Sequence, residues 1–575
     1  MPAVPPTESP GHGAEATSPT PRRPAAPGLV IETSVEGLVL AASVYWALSA
    51  NRVFLGAALR DRALSDPASW RFAATMFVAI VALHAMLLGL VATRRTVKPV
   101  LVGLLVLTAG AAYYMRAYGV FLDPSMLRNV MHTDAAEAGE LLSVPMLAHL
   151  FVFAGLPLLL LSRTRIKRIP RLRAARIRLA FLLATTAVLV GAVLSVFQPF
   201  ASLMRNHKEL RYLITPANMV WSTSRMLIDE TRGATRPRQA IGTDAAPGAS
   251  WTARAKPLVL LVVVGESARA ADWGLGGYGR QTTPELSRLP VVNFESVTAC
   301  GTNTEVSLPC MFAPVGRRDY DEARIRGQES LLHVAARAGV EVHWRDNQSG
   351  CKGVCEGLPN DMVSPANAPG MCKDGRCLDE GLIHDLDRRL ESAQGTQLWV
   401  LHMLGNHGPS YFRRYPRFFA RFQPECLADD LQRCSVEQIV NSYDNALLYT
   451  DHVLASAIAK LRARADAVDS ALVYVSDHGE SLGEHGLFLH GVPHAIAPTQ
   501  QTQVPMVFWS SPGFEQGAGL QRGCLVPALR EQAGAALAHD QIFHTVLGLL
   551  DVRTDLYEAS LDLAGRCRGN GPARS

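Results

Sequence analysis

Three separated stretches carry residue types that together do chemistry. The run LVLLVVVG at 258–265 ends in Glu266, and the run ALVYVS at 471–476 ends in Asp477 and His478, followed by Gly479 and Glu480. Between them lies CGTNTEVSLPC, residues 300–310, a hydroxyl-rich loop bracketed by Cys300 and Cys310. Glu266, Asp477 and His478 come from separate segments and supply three ligands for a metal such as zinc, leaving a fourth position for a nucleophile or water. An oxygen- and imidazole-rich set of this kind suits phosphoryl chemistry. A free hydroxyl is a poor nucleophile, and a metal ion raises its alkoxide character at neutral pH. Thr304, Thr302 and Ser307 compete for that role, and residue chemistry alone leaves them level. His407 in GNHGP and His490 in LHGVPH are candidates to donate to phosphate oxygens or to protonate a leaving alkoxide. Lys352 is a candidate cation for phosphate charge. His402, His485 and His494 read as structural.

The elements that must position these residues follow from pattern. Both apolar runs read as buried strands of a parallel sheet, whose carboxyl ends are where such sheets hold their sites. The first two hundred residues differ in kind. Residues 1–27 are rich in Pro, Ala, Ser and Thr, and read as a disordered tail without the order of a signal peptide. Residues 28–205 hold five apolar segments, near 37–59, 70–91, 99–120, 141–162 and 179–200, each about the 20 residues that span a hydrocarbon core as a helix. The joint at 163–178, RTRIKRIPRLRAARIR, has eight Lys or Arg and no acid. With Arg94, Arg95 and Lys98 in another joint, it places the amino terminus inside and everything past residue 201 outside. Residues 206–255 read as a bridging helix at 206–213 and a Gly, Pro, Thr and Arg-rich linker at 229–252, and residues 256–575 as a globular α/β domain. The outward loop between the third and fourth spans carries Asn129, Thr133 and Glu137 at i, i+4 and i+8, one face of a helix at the membrane surface.

The ten cysteines all lie at or beyond residue 300, and the formal charge is +5. An even count, close pairs and none in the membrane half point to disulfides in an oxidising compartment. Cys300 pairs with Cys310, Cys351 with Cys355, Cys372 with Cys377 and Cys426 with Cys434 by spacing, and Cys524 with Cys567 by elimination. The net charge is too modest to imply a nucleic-acid partner. GLGGYG at 274–279 fits G-x-G-x-x-G but starts some ten residues past the strand, so it does not read as a dinucleotide site. No G-x-S-x-G or Walker A motif anchors an esterase or P-loop reading.

VVVGESARA, CGTNTEVSLPCMF, DNQSGCKGVC, GNHGPSYFRRYP, NSYDNALLYTD and VSDHGESLGEHGLFLHG, in that order, resemble the lipid A phosphoethanolamine transferases, which include the mobile colistin-resistance enzymes. The resemblance covers residues 30 to 565. It implies a five-helix transmembrane domain followed by a periplasmic α/β domain of the alkaline phosphatase and sulfatase type, in a bacterial inner membrane. It implies a zinc ion on Glu266, Thr304, Asp477 and His478, with Thr304 carrying phosphoethanolamine, and so breaks the tie with Thr302. It implies that His407 and His490, with Lys352 nearby, contact the phosphoryl group or a second zinc. It also implies that Asn129, Thr133 and Glu137 bind the headgroup of the donor, phosphatidylethanolamine. The implied acceptor is a phosphate of lipid A, with polymyxin resistance as the consequence. Core heptose, a periplasmic glucan, phosphoglycerol transfer and a non-catalytic zinc sensor are the competing readings. Asn406 and His485 depart from the family's commoner Ser and Asn.

Overall fold

The structure, a computed structural model, describes residues 30–568 apart from 61, 134, 235–237 and 374, and only the backbone at 135–137 and 229–234. The expected tail at 1–27 lies outside the described residues. Strand β1 (Ile31–Thr33) precedes helices α1 (Val35–Leu48), α2 (Arg52–Leu59), α3 (Pro67–Val91) and α4 (Val97–Tyr118). Short helices α5 (Pro124–His132) and α6 (Ala135–Leu141) follow, and then α7 (Val144–Leu150) runs through a π-turn into α8 (Leu156–Ser162). Strand β2 (Thr164–Ile166), α9 (Arg171–Ser195), α10 (Phe197–Asn206) and α11 (Ala217–Ala234) complete this half.

Among the described residues four apolar helices are of membrane length, at 67–91, 97–118, 144–162 and 171–195, and the bent pair α1 and α2 makes a fifth candidate. The first expected span is therefore broken, with a 49° bend. Asn51 holds the bend: its backbone N–H and buried side-chain amide both donate to the Trp46 carbonyl, and the same amide donates to the Thr215 carbonyl and accepts from the Thr215 N–H. The π-turn has a similar cause. Pro157 has no N–H to offer the Phe153 carbonyl, and the Tyr45 hydroxyl donates to that carbonyl at 2.7 Å. Parallel pairing of β1 with β2 puts the first described residues on the same side as the basic joint.

The expected bridging helix is a 3₁₀ turn at Lys208–Leu213 that α11 follows. The stretch expected as a linker begins inside α11, and from Gln239 it packs on the α/β domain. Gln239 bridges to Gln328, Ile241 is buried, and Trp251 Nε1 donates to the Leu550 carbonyl. Glycine and proline made this segment look free, while two apolar side chains dock it.

The α/β domain is built on an eight-stranded sheet. Its strands are β3 (Leu258–Gly265), β4 (Val292–Thr298), β5 (Glu341–Asp346), β6 (Asn360–Met362), β7 (Thr396–His402), β8 (Asp469–Ser476), β9 (Gln503–Ser510) and β10 (Leu537–Ala538), in spatial order 10-4-9-8-3-7-5-6. All neighbours are parallel except β9, which runs against β8 and β4. Each face is covered. Leu258, Leu260, Val262 and Val264 enter one apolar cluster and Val259, Leu261 and Val263 the other, which is why β3 reads as an unbroken apolar run. Helices α12 (Thr304–Met311), α13 (Val436–Ala463) and α14 (Asp540–Leu550) lie beside the sheet. Tyr113, Ala117 and Tyr118 of α4 join the second cluster, so the membrane half is packed directly on this domain. All five expected disulfides are present, Cys524 with Cys567 included.

Candidate active site

Strand register builds the centre of the site. Gly265 of β3 lies beside Ser476 of β8, and the Asp477 N–H donates to the Gly265 carbonyl, so the residues that follow each strand, Glu266 and Asp477, emerge side by side. Backbone geometry holds them there. Ser267 has φ of 58°, a conformation that non-glycine residues rarely adopt, and its N–H donates to Asp477 Oδ1 while its hydroxyl donates to Glu266 Oε1. Gly405 has φ of 51°, and a Cβ there would lie 2.7 Å from the Glu266 carbonyl oxygen, so this position requires glycine.

Helix α12 brings the hydroxyl. Asn303 caps it by accepting from the Val306 N–H, which puts Thr304 at the first helical position. Thr304 Oγ1 donates to Glu266 Oε2 at 3.0 Å and lies 3.4 Å from His478 Nε2. The rival hydroxyls have other partners. Thr302 Oγ1 donates to the Val492 carbonyl at 2.7 Å, and Ser307 Oγ donates to the Asp477 carbonyl. A helix amino terminus also favours an anion at Thr304, since its N–H groups carry the positive end of the dipole.

The charge balance of this cluster asks for a cation. Glu266, Asp477 and His478 are fully buried, and one ligand atom from each lies within 4.8 Å of the others. Two backbone N–H groups donate to Asp477 Oδ1, whereas its buried Oδ2 accepts no hydrogen bond. His478 Nδ1 donates to the Gly479 carbonyl at 2.9 Å, which turns Nε2 toward Glu266 Oε1 and Asp477 Oδ2 at 3.3 and 3.4 Å. A neutral Nε2 would aim its lone pair at two carboxylates, so either a proton or a metal ion must sit among them. Burial opposes charge on His478, yet Asp477 and Glu266 push it up to about 10. Burial and the Glu266 charge push Asp477 up to about 6. Against burial, His478, His407 and His490 hold Glu266 well below the carboxylate range. The residues present thus fit a divalent cation.

A second group capable of holding a metal shares His478, adding Glu480 and His490. His490 Nδ1 lies 2.8 Å from Glu480 Oε2, and Tyr411 donates to the other Glu480 oxygen at 2.7 Å. His490 lies between His478 and His407, tilted against the first and edge-on to the second, with ring centroids 4.4 and 5.5 Å away. Arg414 donates to the His407 carbonyl and to Glu140 of α6. The structure brings Lys352 to Glu305, the residue after Thr304, at 3.3 Å, and its ammonium also donates to Ser349.

The membrane-surface triplet differs from the expected single helical face. Helix α5 ends at His132, and Thr133 is extended, its hydroxyl donating to the Asn129 carbonyl. Helix α6 is a separate element, so Asn129, Thr133 and Glu137 do not share one helix; the Glu137 side chain lies outside the described residues. What joins α5 to the site is instead His132, 2.8 Å from Glu305 Oε1, and Ser125, which accepts from Asn303.

Residue patterns had not singled out Glu305, Glu480 or His539. Glu305 is buried where Lys352, Arg326 and His132 converge, and despite burial the Lys352 and Arg326 charges and the His132 hydrogen bond hold its carboxyl below the ordinary range. Its signal was a carboxylate next to the candidate nucleophile. His539 accepts from the Cys300 N–H and donates to the Ser476 carbonyl, tying the loop to β8, and burial lowers it to about 3. Of the histidines read as structural, His402 is buried against Asp346, His494 meets the Ala299 carbonyl, and His485 is exposed.

Comparison with known proteins agrees with this arrangement. Residues 80–231 match the family described as phosphoethanolamine transferase EptA/EptB, and residues 259–552 match the Sulfatase family. Phosphoethanolamine transferase EptA of Salmonella typhimurium is 38% identical over 464 residues, 80% of this chain and 84% of that protein. Phosphatidylethanolamine transferase Mcr-1 of Escherichia coli is 36% identical over 538 residues, 91% of this chain and 96% of that protein. The solved integral membrane lipooligosaccharide phosphoethanolamine transferase A from Neisseria meningitidis superposes with a TM-score of 0.88 at 35% identity, covering 94% of this chain and 99% of that one. Membrane helices followed by a sulfatase-type domain match on both counts, and the chain belongs to the phosphoethanolamine transferase family.

Proposed function

We propose that the chain transfers phosphoethanolamine from phosphatidylethanolamine to a phosphate of lipid A, at the periplasmic face of a bacterial inner membrane, through a phosphothreonine on Thr304. The observation that carries this is the Thr304 hydroxyl, at a helix amino terminus and in contact with both Glu266 and His478. Glu266, Asp477, His478 and Thr304 would hold a zinc ion, which when bound favours the alkoxide over the hydroxyl at neutral pH. Glu480 and His490, with His478, form a place for a second.

In the first step Thr304 Oγ1, its proton given up to water, forms a bond to the phosphorus of the donor, and the bond from phosphorus to the diacylglycerol oxygen breaks. The leaving alkoxide takes a proton from His490, which lies beside His478, or from His407, which lies beside His490. In the second step an oxygen of the acceptor phosphate attacks the same phosphorus, and the bond to Thr304 breaks. The Lys352–Glu305 pair orients the amino end of α12 in both steps. Packing of α4 and α5 on the α/β domain keeps the site at the membrane surface, where confinement raises the effective concentration of two lipid substrates. The added ammonium lowers the negative charge of lipid A, which weakens its attraction for cationic peptides such as polymyxin.

Mass spectrometry of lipid A from a Gram-negative host expressing the chain tests this reading. A gain of one phosphoethanolamine, absent with Thr304→Ala, is the expected result. Unmodified lipid A beside a correctly inserted protein overturns the acceptor and directs the search to core heptose and glucans.

A further inference from the structure

The membrane half contains a cavity of about 430 Å³ between α1, the α1–α2 break, α4 and the α7 span, at the end of the bundle nearest the α/β domain. Its lining is mostly apolar, and its polar groups are left wanting. Trp46 and Thr108 are 1% and 2% exposed, yet Trp46 Nε1 and Thr108 Oγ1 have no hydrogen-bond partner among the described residues. His149 Nδ1 lies 3.5 Å from an Arg116 guanidinium nitrogen and so acts as acceptor, which leaves the proton on Nε2. Arg52 and Arg116 stand on the same lining. A buried donor without an acceptor costs about 1–3 kcal/mol, and hydrocarbon cannot supply one. Two such groups, on α1 and α4 around one cavity, point to an oxygen-rich occupant.

We propose that this cavity is a lipid site separate from the reaction centre, holding the phosphate and glycerol-ester region of an anionic glycerophospholipid. The phosphate meets Arg52, Arg116 and the His149 Nε2–H, while ester oxygens accept from Trp46 Nε1 and Thr108 Oγ1. The acyl chains leave between the helices into the bilayer. A cavity of this volume takes the polar part of one lipid and leaves the chains outside. Only 11% of the apolar window of the α7 span is buried against protein, so a lipid in the cavity adds contacts to it. The bound lipid bridges this loosely packed span to α1 and α4.

The test uses the full chain purified in mild detergent, with 1-palmitoyl-2-oleoyl-phosphatidylglycerol as probe and native mass spectrometry as readout. One phosphatidylglycerol should remain on the wild-type protein after annular lipid has been stripped. Arg116→Ala with His149→Ala should weaken retention about tenfold, which corresponds to about 1.4 kcal/mol. Trp46→Phe, which removes only the N–H and keeps the ring, should weaken it in the same direction with unchanged thermal unfolding. Thr304→Ala should retain the lipid as the wild type does, which separates this site from the failure or success of the transfer reading. Equal retention by the wild type and both cavity variants, or no lipid surviving on the wild type, overturns the proposal.

Discussion

Strand β3 and helix α9 are both runs of large apolar residues, and they meet opposite surroundings. The seven apolar residues of β3 are at most 2% exposed, while α9 buries only Thr185. In the α/β half apolar surface is satisfied by protein on both faces, so strand ends are held in register and the groups that follow them are fixed. In the membrane half the same chemistry is satisfied by lipid, and what fixes geometry there is the polar exception, such as Asn51 at its break or Tyr45 at the Phe153 carbonyl. One half stores positional accuracy in its core and the other in a few hydrogen bonds.

The largest expected effect lies at the strand ends. Thr304→Ala should lower transfer by about a thousandfold or more, whereas Thr186→Ala, an exposed hydroxyl on α9, should leave the initial rate unchanged in the same lipid assay. Equal losses would erase the distinction. Packing comes next. Leu260→Ala in β3 should cost about 3 kcal/mol of stability, and Leu183→Ala, 63% exposed on α9, under about 0.5 kcal/mol in a denaturant titration of the solubilised protein. Zinc separates the halves again. At a hundredfold excess over its dissociation constant it should stabilise the α/β half by about 2.7 kcal/mol, and Asp477→Ala should abolish that gain in thermal unfolding.

The smallest effect is electrostatic. His452 on α13, against some burial, is raised from 6.5 to about 9 by Glu380 and Glu285. Its folded pKa exceeds its unfolded one, so its contribution is complete below 6.5 and disappears as the pH rises through 9. After screening, His452→Gln should cost about 1 kcal/mol at pH 6 and close to nothing at pH 10. A loss that grows with pH would contradict the pairing.

How much of this was legible in the sequence follows the same division. Glu266, Asp477 and His478 could be read because a buried parallel strand is continuous in apolar residues and its site begins where the run stops. The choice among Thr302, Thr304 and Ser307 could not, since it depends on which hydroxyls meet the Val492 and Asp477 carbonyls, contacts that span 190 and 170 residues. Segments long enough to cross a membrane were plain from composition. The bend at Asn51 and the end of α5 at Thr133 were not, because each depends on where one side chain finds a distant or local carbonyl. Glu305 was hidden for a related reason: its three partners, His132, Arg326 and Lys352, come from separate parts of the chain.

The central claim is that Thr304 carries the transferred group. The most direct measurement is peptide mass spectrometry of the purified protein after incubation with phosphatidylethanolamine in the absence of acceptor. The account predicts one phosphoethanolamine on the peptide containing CGTNTEVSLPC, fragmented to Thr304 and discharged when lipid A is added. Modification at Thr302 or Ser307, or full transfer activity with no adduct at any time, would contradict it.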